Sequence, residues 1–162
     1  MPEFKIRKIT EKDDAEIAKI IRHGLEEAHL DIPGTAYFDP ELENLSRYYS
    51  VNPDKRAYFI MTDEKDKIVG GIGLAEFNGF EDCAEGQKLY LSDDVKGLGL
   101  GRRLFEQIEI AARDMGYKNL YLETHSNLGV AIGMYERHGY KLIDKPACVK
   151  HSTMDRFFIK AL

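Results

Sequence analysis

Cysteine is scarce in this chain of 162 residues: only Cys83 and Cys148 occur, far apart and in no CxxC pattern. Two thiols cannot build the disulfide framework of a small secreted domain, so reduced thiols in a cytoplasmic protein are the expectation. Long apolar runs are missing as well. The longest apolar-plus-glycine stretch, around Val69–Ala75, falls far short of the roughly 20 residues that a membrane helix needs. The opening Met-Pro-Glu-Phe-Lys-Ile-Arg-Lys has neither an apolar core nor a small-residue cleavage site, and no secretory signal is expected. Positive charge is not in excess: 23 Lys and Arg stand against 28 Asp and Glu, a net charge of −5. A mildly acidic chain is a poor binder of nucleic acid through a broad basic face. Five histidines without HExxH spacing predict no metal site. Repeats, low-complexity tracts and a dividing linker are also lacking.

What remains is ordinary globular composition, 43% hydrophobic and 31% charged. Residues 1–162 are expected to form a single domain, large enough to bury roughly 70% of the unfolded surface without staples. Phe4-Lys-Ile-Arg-Lys-Ile9 reads as a short strand. Asp13 with Glu16 resembles a capping box opening an amphipathic helix over 13–28, carried by Ile17, Ile20, Ile21 and Leu25. A loop with two prolines and a glycine follows, then a short helix over Glu41–Tyr49. Arg56–Met61, Ile68–Phe77 and Ala84–Leu91 read as strands, and Gly70, Gly71 and Gly73 mark a bulge or a close backbone approach. Leu100 to Met115 makes a helix stopped by Gly116. Asn119–Thr124 is a strand, Leu128–His138 a helix closed by Gly139, and Tyr140–Ile143 and Arg156–Ile159 are the last strands. The sum is a mixed α/β domain with a strand–helix–strand–helix–strand unit in its second half.

The stretch richest in chemistry runs from Leu89 to Leu104: a strand, then glycines at 97, 99 and 101, then a helix. Glycines allow backbone N–H groups close to a ligand, and the helix start adds free donors and the positive dipole end. Lys96, Arg102 and Arg103 surround the turn, although cations there oppose the dipole. The chemistry fits a pyrophosphate. No Lys-Ser or Lys-Thr follows the glycines, which excludes a P-loop, and GxGxxG fails from both Gly97 and Gly99.

The remaining pattern, Lys96-Gly97-Leu98-Gly99-Leu100-Gly101, resembles motif A of the GNAT N-acetyltransferases, (Arg/Gln)-x-x-Gly-x-(Gly/Ala). Downstream, Ala131-Ile-Gly-Met-Tyr-Glu-Arg-His-Gly-Tyr140 is similar to the family's Ala-x-x-(Leu/Met)-Tyr-x-x-x-Gly-(Phe/Tyr) segment. The two stand in order over roughly residues 85–143. Lys96 replaces the usual Arg or Gln, keeping the charge without the planar fork.

The resemblance implies a mostly antiparallel central sheet with helices on both faces and a splayed parallel strand pair that holds acetyl-CoA. By analogy, backbone groups of Leu89 and Leu91 pair with pantetheine. The amides of Lys96, Gly97, Leu98, Gly99, Leu100 and Gly101 hold the pyrophosphate with Arg102 close by. The family's asparagine falls one position away here, at Asn127, a further candidate for the cofactor. Tyr135 takes the place of the general acid, and its structural reading is a core tyrosine. Glu85 is the first candidate base, with a solvated strand residue as the alternative, and Glu123 the second. The reaction implied is direct attack of a primary amine on the thioester, with the carbonyl polarised by the Leu91 N–H. His125 and His138 read as structural, and Cys83 lacks a positioned partner as a nucleophile. The alternative function is a catalytically silent acyl-CoA-binding sensor. Homodimers are common in the family. Residues 10–49 carry ten acids and four bases, a net of −6, whereas residues 96–118 carry a net of +2. With loops around 29–49 and near the C-terminus shaping the acceptor site, the division favours a cationic amine.

Overall fold

The computed structural model describes residues 2–149 and 152–162. Strand β1 (Lys5–Lys8) leads through a tight turn into helix α1 (Asp14–Glu27). Asp13 closes that turn: it accepts the Thr10 backbone N–H at 2.8 Å and grips the Arg7 guanidinium at 2.7 and 2.8 Å. The capping contact therefore joins Thr10 to Asp13, one turn before the expected Asp13–Glu16 pair, because Arg7 claims Asp13. Ile17, Ile20, Ile21 and Leu25 form the buried stripe of α1, each worth about 1.5–3 kcal/mol on leaving water. The following segment holds two 3-10 turns, Ala36–Phe38 and Pro40–Asn44, before the short helix α2 (Leu45–Ser50). The helix expected over Glu41–Tyr49 is thus α-helical only from Leu45.

Strands β2 (Ala57–Thr62), β3 (Ile68–Glu76) and β4 (Cys83–Leu91) form a meander beside β1. Helix α3 (Leu100–Asp114) crosses to β5 (Asn119–Thr124), α4 (Gly129–Arg137) leads to β6 (Lys141–Ile143), and β7 (Arg156–Ala161) inserts between β5 and β6. The resulting order is β1-β2-β3-β4-β5-β7-β6, antiparallel except for β4 beside β5. Among the described residues no helix is long and apolar enough to cross a membrane.

Alternation along β2 shows why both faces need covering. Ala57, Phe59 and Met61 pack with Leu104, Phe105 and Ile108 of α3, while Tyr58 and Ile60 pack with Ile17 and Ile21 of α1. The β3 glycines let aromatic rings lie on the strand: a Cβ on Gly71 would sit 2.5 Å from the Tyr58 ring and 2.8 Å from the Phe59 carbonyl. The bulge anticipated there falls on the partner strand. Gly71 pairs with Tyr90 and Gly73 with Gln87, leaving Ile72 opposite two residues, Lys88 and Leu89. Lys88 takes the left-handed conformation, φ +52°. The kink matters for the other edge of β4: parallel pairing with β5 spans only Cys83–Glu85 against Asn119–Tyr121. From Gly86 onward the two strands part.

Candidate functional site

The opening between β4 and β5 is the centre of the site. The Ser92 N–H bonds the Val69 carbonyl at 2.8 Å, toward β3. Strand alternation turns the N–H and C=O groups of Leu91 and Leu89 the opposite way, into the gap. At the upper end of β4, Gly97 and Gly99 adopt left-handed φ of +83° and +76°. A Cβ at either would meet open space, so glycine is required by the backbone angle rather than by crowding. Among the described residues, none of the amides from Gly97 to Arg102 gives its hydrogen to a backbone carbonyl. Those donors, at the start of α3, are the group most suited to a pyrophosphate. Gly101 lies under α4, where a Cβ would be 3.6 Å from the Met134 sulfur and 3.8 Å from Leu91.

The charged side chains around the loop are otherwise engaged. Lys96 sits 2.8 Å from Asp93, which also meets His23 of α1 at 2.5 Å. The Lys96 amide is directed to the Asp93 carbonyl at 3.4 Å. Arg102 is bonded to Glu106 one turn along α3 at 2.9 Å, and Arg103 donates to the Phe4 carbonyl at 3.0 Å. All three are exposed, and such surface pairs hold weakly enough to exchange for an anion. The Asn127 side chain donates to the Ala28 carbonyl at 2.9 Å, tying the β5–α4 connection to the end of α1.

Tyr135 is buried on α4 against Phe105, Tyr140 and Phe158. Burial pushes its phenol to about 12, so at neutral pH it holds a proton to give. It lies near enough to Tyr90 of β4 to raise that phenol further, beyond the effect of burial. The ring packs as a core tyrosine, and the hydroxyl is left without a protein partner among the described residues.

On the other face of the splayed pair lie the two carboxylates. Glu85, half-buried at the last position of β4 paired with β5, is pushed to about 7, first by burial and then by the neighbouring charge of Glu123. Gln87 donates to Glu85 at 2.9 Å and accepts the Tyr49 hydroxyl at 2.7 Å, fixing the carboxylate from α2. Glu123 accepts the Tyr121 hydroxyl at 2.9 Å. Sequence reasoning missed Tyr49, Gln87 and Tyr121. Tyr49 carries no local signal, since its partner lies on another element, whereas Gln87 shares strand parity with Glu85 and was findable. Other sequence candidates fall away from the site. Burial raises the Cys83 thiol to about 12, unsuited to a nucleophile. His125 accepts the Asn127 N–H at 3.0 Å, and His138 lies 2.9 Å from the Met134 carbonyl, both shaping helix ends. Of the C-terminal loop expected near the acceptor, residues 150 and 151 lie outside the described residues.

The sequence matches the acetyltransferase (GNAT) family over residues 22–140. It is 37% identical over 141 residues to the uncharacterized N-acetyltransferase YjgM of Escherichia coli, covering 86% of this chain and 83% of that protein. The fold is similar to a GNAT-family acetyltransferase from Staphylococcus aureus, with a TM-score of 0.83 at 20% identity over 99% of both chains. The PaiA N-acetyltransferase of Thermoplasma acidophilum, solved in complex with coenzyme A, is similar with a TM-score of 0.77 at 17% identity over 99% of both chains. With family similarity running through the glycine loop, the splayed strands and Tyr135, this chain belongs to the GNAT acetyltransferases.

Proposed function

We propose that the chain is an acetyl-CoA-dependent N-acetyltransferase that passes the acetyl group directly to a primary amine. The observation that carries this reading is the splayed β4–β5 pair, with free backbone donors at one end and Glu85 and Tyr135 on its two faces. The amides of Gly97 to Gly101 hold the pyrophosphate, and the edge groups of Leu89 and Leu91 take the pantetheine arm. Solution of the PaiA relative with coenzyme A supports that ligand class. Glu85, poised near neutrality, takes a proton from the acceptor ammonium, directly or through a water. The neutral nitrogen attacks the thioester carbon, whose oxygen is polarised by the Leu91 N–H. As the C–S bond breaks, Tyr135 gives its proton to the departing thiolate.

The acceptor approaches from the face of Glu85 and Glu123, where the acidic 10–49 segment lies, and we assign it to the cationic amines. A panel of cationic, neutral and anionic amines with acetyl-CoA, read by thiol release and product mass, tests the proposal. Acetylated product with a cationic preference is expected. Binding of acetyl-CoA without turnover of any amine would make the chain a silent acyl-CoA sensor instead.

A further inference from the structure

A buried ammonium on the acceptor side has no part in the chemistry above. The Lys88 side chain is 9% exposed, and its nitrogen sits 2.9 Å from Asp39 and 3.8 Å from Glu41. Both carboxylates belong to the irregular segment between α1 and α2. Its backbone is the extra, left-handed residue of the β4 bulge, and its carbonyl oxygen accepts the Tyr58 hydroxyl at 2.8 Å. Lysine is a poor occupant of such a place on two counts. A buried ammonium costs hydration and side-chain freedom unless it is paired, and a left-handed backbone favours glycine or asparagine. Such strained residues persist where their surroundings over-determine them.

The neighbours of Lys88 define what it can control. Gln87, one residue before, holds Glu85 and Tyr49. Leu89, one residue after, turns its backbone edge into the gap. The ammonium itself reaches outward to Asp39 and Glu41. A single residue thus ties the acceptor-side segment to the strand that carries the base.

We propose that Lys88 is a positioning residue: its ammonium latches residues 36–44 onto β4 through Asp39 and Glu41 and so sets one wall of the acceptor site beside Glu85. The part concerning the acceptor rests on the function proposed above, whereas the latch itself does not. The titratable groups facing this region are Asp39 and Glu41 from the segment, Glu85, Cys83 and Tyr90 on β4, Glu123 and Tyr121 from β5, Tyr48 and Tyr49 from α2, Tyr58 from β2, and the Arg56–Glu76 pair beside Tyr48. Losing the ammonium leaves Asp39 and Glu41 without their partner, so the segment is released. It also removes the positive charge that favours ionised Glu85, an effect larger than the opposing one of Asp39.

The test combines amide hydrogen exchange of the whole protein with steady-state kinetics on Lys88→Met, Asp39→Asn and the double variant. Exchange over residues 36–44 is expected to speed up about tenfold in Lys88→Met, while α3 and β5 stay as in the wild type. The KM for the amine should rise about five- to tenfold with the acetyl-CoA KM unchanged, and the acid limb of the rate profile should move to higher pH. Because the two single changes break one contact, the double variant should be no worse than Lys88→Met. Lys88→Gly, which suits the left-handed backbone but has no ammonium, should behave like Lys88→Met. Unchanged exchange over 36–44 would overturn the latch, as would loosening spread across the sheet or strictly additive effects of the two substitutions. If no amine is acetylated, the exchange measurement still decides the latch, so its failure and that of the proposed function are separable.

Discussion

Replacing Glu85 with glutamine should remove the proposed base and, above neutral pH, stabilise the fold. Burial and Glu123 push Glu85 from an ordinary 4.5 to about 7. At 1.36 kcal/mol for each pH unit, holding that carboxylate ionised in the native state costs at most roughly 3 kcal/mol. The native state binds the Glu85 proton more tightly than the unfolded chain does. Stability therefore carries no penalty below pH 4.5, declines between 4.5 and about 7, and bears the whole penalty above that. Glutamine retains an oxygen for the Gln87 N–H, now at 2.9 Å, and brings no charge to desolvate or to repel Glu123. At about 2–4 °C per kcal/mol for a chain of this length, Glu85→Gln should raise Tm by several degrees at pH 8 and leave it nearly unchanged at pH 4. Turnover should fall by about 10²–10⁴-fold. In the wild type, kcat/KM should drop about tenfold per pH unit below 7 as the base becomes protonated. Thermal denaturation at the two pH values and acetyl-CoA-dependent thiol release check both halves. A variant that is less stable at pH 8, or that keeps wild-type turnover, would refute the reasoning.

Tyr135→Phe keeps the ring on Phe105 and removes the proposed acid, so turnover should fall about 10²-fold or more while calorimetric acetyl-CoA affinity stays within about twofold. Gly97→Ala and Gly99→Ala place a side chain in open space on a left-handed backbone. Each should cost about 1–2 kcal/mol in loop order and weaken acetyl-CoA binding measurably by calorimetry. A thiol-alkylating reagent should modify exposed Cys148 in the native protein and spare buried Cys83, as peptide mass mapping would show.

Elements that depend on near neighbours in the chain were legible from it. The α3 stripe Leu100, Leu104 and Ile108 is a spacing of four, and β5 spans the Asn119–Thr124 expected from a short apolar run bounded by polar residues. The turn at Gly97 and Gly99 is similarly local: a strand followed by glycines and a helix start must expose backbone donors. The capping contact at Thr10 was misplaced for the complementary reason, since Arg7 on the preceding strand, not the helix sequence, decides where Asp13 points. The order Glu85 before Glu123 was read from the sequence, but the physical difference between the two carboxylates was not. It follows from β4 meeting β5 at Glu85 opposite Tyr121, which buries Glu85 and crowds it against Glu123, whereas the phenol partner of Glu123 lies two residues away on its own strand.

The amino-acid order by itself determined the family resemblance, the alternation of elements and the glycine loop, because these rest on local conformational preference and on spacing. Tertiary structure alone decided where β4 kinks, that Glu85 is driven toward neutrality, and that Lys88 joins the 36–44 segment to β4. Each of these depends on desolvation or pairing between residues distant in the chain, and such interactions have no energy until the partners are brought together.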